Sequence, residues 1–182
     1  LDDADRGFSF MSDGPLDMRM NPQTGISAAD WINSASVEEM TKVFREYGEE
    51  RYAKRIAGAI EKSRSEMPFT RTLQLAEVVT AANPAWEKHK HPATRVFQAI
   101  RIFINDELGE LKQALHDALD VLEAGGRIAV IAFHSLEDRI VKQFFREQSR
   151  GLDVPRHIPV TGDREGRTFK LIGKAIKTSD AE

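Results

Sequence analysis

Several groups of residues in this sequence have the types and spacing that chemistry needs. His134-Ser135 is followed at once by Glu137, Asp138 and Arg139. Continuous β-branched residues precede the pair and a helical pattern follows it, so the pair sits where a strand would turn into a helix. In doubly wound sheets, ligands lie outside the carboxyl ends of strands. Two readings stay open here. One is a polar pocket wall with His134 or Asp138 as acceptor; the other is a helix cap beside a satisfied histidine. Adjacency of His and Ser is not a hydrolase signal, because no G-x-S-x-G occurs. Asp17 and Arg19 flank Met18 in a Gly- and Pro-rich stretch. They are either a carboxylate and guanidinium turned toward a ligand or a salt bridge tying down a loop. Trp86, Lys88, His89, Lys90, His91, Arg95 and Arg101 combine cations with a stacking ring, the composition of a nucleic-acid contact. His89 and His91 lack further ligands nearby, and Asp2, Asp3, Asp5 and Asp13 lack the calcium-loop pattern. No metal site is expected.

The elements that must position these residues follow from periodicity. Residues 1–25 show no period and read as a long ordered loop held by Phe8, Phe10 and the methionines; Met11, Met18 and Met20 are expected as core filler. Ser27 with Asp30 and Ser36 with Glu39 are capping boxes that open two helices. Val37, Met40, Val43, Phe44 and Tyr47 form an apolar stripe that Gly48 ends. A third helix is predicted over Glu49–Arg64 and a fourth from Thr70 to Asn83-Pro84. A fifth is predicted after Pro92, and a sixth from Asp106 to Gly125-Gly126. Arg127 to Phe133 is a continuous apolar run of the kind buried in a parallel sheet. Ser135 is expected to cap a last helix, and Phe169–Ile176 reads as a final strand. The expected class is α/β: part of a doubly wound, Rossmann-like sheet with an all-helical inserted domain. The boundaries are 1–25 for the loop, 26–105 for the helical insertion and 106–182 for the rest of the sheet domain.

Composition narrows the class. With 41% hydrophobic and 30% charged residues, the chain is globular rather than disordered. No apolar run approaches the ~20 residues of a membrane span. The absence of cysteine excludes disulfides and thiolate chemistry and is compatible with a cytoplasmic protein. The net charge of −3 hides blocks of opposite sign: residues 51–101 hold ten Lys/Arg against four Asp/Glu, whereas 1–50 hold four against eleven. Patches rather than totals attract a polyanion.

The segments "LDDADRGFSFMSDGPLDMRM", "YGEERYAKRIAGAI", "HKHPATRVFQAIRIFIND" and "GGRIAVIAFHSLEDRIVKQFF" resemble, in that order, the signature blocks of the RsmH (MraW) family. The resemblance covers nearly the whole chain and is loosest over residues 151–182. It implies S-adenosylmethionine-dependent methylation of the N4 amine of a cytosine in 16S ribosomal RNA. The implied partners are 16S rRNA or the small ribosomal subunit, with a homodimer admissible and no membrane. It further implies catalytic roles for Asp17, His134 and Asp138. Arg19, Trp86, Lys88, Lys90, Arg95, Arg101, Ser135 and Arg139 would bind substrate. The loop at Asp17–Arg19 and the turn at His134–Asp138 are expected to face each other across the cytosine site. The family's glycine-rich cofactor loop matches nothing in these residues. The cofactor ligands are therefore expected mostly upstream of Leu1, and none is assigned within the chain. The 182 residues alone are expected not to methylate RNA. The alternative for them is a non-catalytic RNA-binding module. A DNA amino-methyltransferase would need an [SDN]-P-P-[YFW] motif, which does not occur.

Overall fold

The computed structural model describes residues 3–85, 91–150, 169–173 and 175–176, and they fall into two compact units, 1–107 and 108–182. In the first unit, a single 3₁₀ turn at Ala4–Arg6 and a long loop lead into α1 (Ala28–Ser34), α2 (Val37–Glu46), α3 (Ala53–Glu66), α4 (Thr72–Ala82) and α5 (Thr94–Ile104). The second unit carries α6, which begins at Glu107 and ends at Val121, and α7 (Ser135–Arg150).

Both serine caps form. The Ser27 hydroxyl accepts from the Asp30 amide while the Asp30 carboxylate accepts from the Ser27 amide, and Ser36 accepts from Glu39. Each satisfies donors that a helix start leaves without partners. Helix α3 starts later than the predicted Glu49. Glu49 has φ 50° and the buried Glu50 accepts from the Tyr52 amide, so these residues form a turn instead of a helical first turn. Helix α4 begins at Thr72 because the Gln74 side chain accepts from the amides of Thr70 and Arg71 and holds them outside the helix.

The core of the first unit is one cluster. Trp31 and Ile32 of α1, Met40 and Phe44 of α2, Ile56 and Ile60 of α3, Leu75 and Val79 of α4, and Val96 and Ile100 of α5 are all buried. Trp31 meets Phe44 edge-on at 6.2 Å and Phe103 at 4.9 Å. Leu16 and Met18 of the loop belong to the same cluster, as the packing expectation required for Met18. Met11 and Met20 do not: they are 72% and 48% exposed. Residues alternate inward at Gly14, Leu16 and Met18, whereas Met11 lies in an exposed run over residues 11–13 and Met20 follows the last inward position.

The second unit has a smaller core of Leu115, Val141 and Phe144, with Ile128, Val130 and Phe169 packed on it. The expected strands at Arg127–Phe133 and Phe169–Ile176 are corrected here, since no strand occurs among the described residues. A strand is defined by its ladder, and no ladder bond reaches either segment among those residues. The first of them nonetheless keeps the strand's alternation. Ile128, Val130 and Ala132 are partly buried, while Ala129, Ile131 and Phe133 are exposed, the last two at 82% and 91%. The helices expected over 26–105 are present; the parallel sheet is not among the described residues.

Candidate functional site

The loop before α1 is built to hold one carboxylate in place. Gly7 has φ +74°, and a Cβ there would lie 2.1 Å from the Pro15 carbonyl oxygen; a Cβ on Gly14 would lie 1.9 Å from that of Ala4. Only glycine lets the two arms of the loop approach so closely. The Leu16 amide donates to Thr70 and the Thr72 amide to Gly14, while the buried Thr72 hydroxyl bridges Ser12 and Gly14. Asp13 pairs with Arg71. The carbonyls of Leu16 and Asp17 accept from Ala29 and Ala28, the free amides of the first turn of α1. Met18, in between, takes a left-handed φ of 59° with its side chain wholly buried. That φ is costly for a non-glycine residue, and the core contacts of the side chain offset the cost.

The carboxylate so placed is Asp17. Its Oδ1 accepts from the Arg19 amide at 3.0 Å and Nε at 2.8 Å, and its Oδ2 accepts from Arg19 Nη2 at 2.7 Å. The bidentate guanidinium contact leads the causes that hold the Asp17 carboxyl below the usual carboxylate range; partial burial opposes it less strongly. Asp17 is therefore anionic throughout neutral pH and a weak base. A carboxylate offers about four acceptor positions. Arg19 fills both on Oδ1 and one on Oδ2, leaving one on Oδ2 for an incoming N–H. The salt bridge expected as one of two readings is present, and it leaves the carboxylate able to accept.

A pH dependence follows. A carboxyl whose folded-state pKa is depressed contributes stability above the unfolded value, here 3.8, and loses it as pH falls through the folded value. The stability difference between wild type and Asp17→Asn should be constant above about pH 5 and shrink below pH 4 in denaturant titrations. A difference independent of pH down to pH 3 would contradict the ion pair.

Sequence reasoning missed two residues that fix this loop. Asn105, at the C-terminal cap of α5, donates from Nδ2 to the Met18 carbonyl at 2.8 Å and accepts from the Met20 amide at 2.6 Å. It thus clasps Arg19 from both sides. Arg6 donates to the carbonyls of Arg19 and Met20, both at 2.9 Å, and lies 5.5 Å from the Phe8 ring centre. The one available signal was the end of the block "IRIFIND", where an asparagine closes a helix without a glycine after it.

In the second unit, His134 rather than Ser135 caps α7. Its carbonyl accepts from the Asp138 amide, and its Nδ1 faces the Glu137 amide at 3.4 Å. Glu137 Oε2 in turn accepts from the amides of Phe133 at 2.8 Å and His134 at 3.4 Å. This is a capping box with an imidazole in the serine's place. Its Nε2 is shielded from solvent and lies 3.3 Å from Glu137 Oε1 without the alignment of a hydrogen bond. Ser135 is exposed at the first helical position, Asp138 pairs with Lys142 at 2.6 Å, and Arg139 is exposed one residue on.

Of the cationic candidates, Arg95 donates to the Glu49 carbonyl at 2.8 Å, and Arg101 makes a two-point contact with Glu107 at 2.7 and 3.0 Å. Trp86, Lys88, His89 and Lys90 lie outside the described residues. His91 stacks on Phe10 at 4.8 Å, joining the start of α5 to the loop. Among the described residues, no three His, Asp or Glu side chains gather as metal ligands. None of the described residues is assigned to a cofactor. Leu1 and Asp2 lie outside the described residues.

Comparison with known proteins agrees with the sequence resemblance. The family model described as the MraW methylase family matches residues 1–182. The chain is 57% identical over 182 residues to a Marinomonas sp. (strain MWYL1) protein named ribosomal RNA small subunit methyltransferase H. It spans 58% of that relative's length.

Proposed function

The chain belongs to the MraW methylase family, and from that premise we propose that the full-length protein methylates the N4 amine of a cytosine in small-subunit ribosomal RNA. The observation that carries the proposal is the Asp17 carboxylate, anionic and rigid, with one acceptor position unfilled. On this reading the donor is S-adenosylmethionine, which brings an electrophilic methyl group on a cationic sulfur. The cytosine amine is a poor nucleophile because its lone pair is delocalised into the ring. An acceptor on its N–H favours the pyramidal, attacking nitrogen, and the bond strengthens as positive charge develops there. Asp17 suits that task because Arg19 keeps it a hydrogen-bond acceptor and too weak a base to retain the proton, which passes from the methylated nitrogen to solvent. Its carboxylate is held by the two-point contact with Arg19, and the backbone on both sides is tied to α1 and Asn105. Asp138 is proposed as a further acceptor, His134, whose Nδ1 is taken by the Glu137 amide, as the residue that positions it, and Arg19, Ser135 and Arg139 as contacts to base or phosphate.

The direct test is labelled S-adenosylmethionine with small-subunit RNA and the full-length protein, followed by nucleoside analysis. N4-methylcytidine is expected; label in another nucleoside would refute the assignment. A second reading, a non-catalytic RNA-binding module, applies to the 182 residues alone, and the self-contained core of residues 1–107 supports it. Calorimetric titration with S-adenosylmethionine separates the two readings.

RNA contact is proposed for Trp86, Lys88, Lys90, Arg95 and Arg101. Arg101→Glu would set a carboxylate against Glu107, so the test belongs to Lys88 and Lys90. Changing both to Glu in the full-length protein should weaken RNA binding. It should also lower the slope of log affinity against log salt by about 0.7 for each phosphate no longer neutralised. Unchanged affinity and slope would remove the 86–90 segment from the interface.

A further inference from the structure

Helix α3 contains a glycine for which the first unit has no use. Gly58 lies mid-helix and exposed, and a Cβ there would meet nothing within 4 Å among the described residues. Its backbone is ordinary helix, so no left-handed turn requires it. Glycine at an exposed helix interior is less stable than alanine, because more backbone freedom is lost on folding. Neither a turn nor close packing of a neighbouring helix accounts for it. The remaining use of glycine is close approach by something outside the unit.

The surrounding side chains say what approaches. Lys54, Arg55 and Lys62 stand four and three residues before Gly58 and four after it, which puts them on its face of the helix. Arg51 continues that face in the turn before α3. All four are exposed and form no ion pair among the described residues. Glu61, on the flank, is engaged by Arg64. From α2, Lys42 and Arg45 join Lys54 around a shallow depression that also holds Glu38 and Glu46, so the anionic side chains sit at its α2 edge. The α3 face carries cations around a bare stretch of backbone and no large apolar side chain. Protein partners are anchored by buried aromatic and aliphatic groups; nucleic-acid backbones are held by cations and by close approach to the main chain.

We propose that this face of α3 binds the phosphate backbone of the RNA substrate, with Gly58 as the point of closest approach. The inference rests on the reading of the protein as an RNA methyltransferase and adds a second RNA contact to the one proposed for residues 86–90. From Lys54 to Lys62 the row runs about 12 Å along the helix, enough for consecutive phosphates of one strand.

The test uses the full-length protein, small-subunit RNA and salt-dependent binding. Changing Lys54, Arg55 and Lys62 together to Gln should raise Kd at least tenfold and lower the salt slope by about 2, roughly 0.7 for each of three single-strand phosphates. Gly58→Leu should raise the thermal midpoint, because leucine is the better helix former, and yet weaken RNA binding. A structural role for Gly58 would instead lower the midpoint. Wild-type affinity and slope in the triple variant, with wild-type protein still methylating RNA, would overturn the α3 surface alone. Absence of RNA binding by the wild type would overturn the function it rests on as well. Normal binding of naked RNA with loss of binding to the assembled subunit would assign the face to a ribosomal protein and overturn the proposal.

Discussion

Asp17→Asn in the full-length protein is expected to lower the methylation rate about 10²-fold, the usual loss for one transition-state hydrogen bond, with RNA affinity nearly unchanged. Asparagine keeps an acceptor oxygen but removes the charge that answers the positive charge growing on the amine. It also breaks the two-point contact with Arg19. The residue must therefore be checked for fold as well as rate. Asn105→Ala supplies the comparison: it loosens the clasp on Met18 and Met20 without touching the carboxylate. If positioning matters, it lowers the rate while Asp17 remains chemically intact. A wild-type rate in Asp17→Asn would remove this loop from the chemistry. His134 needs a paired test because it caps α7. His134→Asn keeps a capping acceptor and removes the imidazole, whereas His134→Ala removes both and should cost a further ~1 kcal/mol of stability. A rate lost in Ala but kept in Asn would mark the histidine as a cap and nothing more.

Trp31→Ala is expected to destabilise the protein by about 3–5 kcal/mol, measured by denaturant unfolding of the full-length chain. Trp31 is 2% exposed and joins α1 to Phe44 of α2 and Phe103 of α5. Its indole N–H also donates to Glu39 at 3.2 Å. Truncation leaves a cavity that three helices must collapse to fill. Trp31→Phe keeps most of the ring packing and should cost much less. The effect reaches the candidate site, because α1 donates its first amides to Leu16 and Asp17, so protection of the Ala28 and Ala29 amides should fall with stability. A loss below about 1 kcal/mol would mean the core repacks around the gap and α1 is not held by this residue.

Short-range features of this protein are legible in its sequence, and the reason is distance along the chain. The pairs Ser27–Asp30 and Ser36–Glu39 lie one helical turn apart, so backbone geometry brings each together wherever the helix stands. The apolar stripe Met40, Val43, Phe44 likewise faces one way by helical period alone. Four long signature segments in one order are specific enough to point to the family by themselves. Tertiary structure decided the rest. Asp17 is held through bonds to Asn105 that span 85 and 87 residues and by a loop that meets Arg71 and Thr72 across 58 to 60. No local pattern encodes a partner at that separation. The left-handed backbone of Met18 is tolerated because the folded core receives its side chain, and the same residue in a free peptide would avoid it. Whether Arg127–Phe133 becomes a strand is also a tertiary matter. Its residues suit a buried sheet, but a ladder needs a second backbone, and periodicity in one segment cannot supply the other.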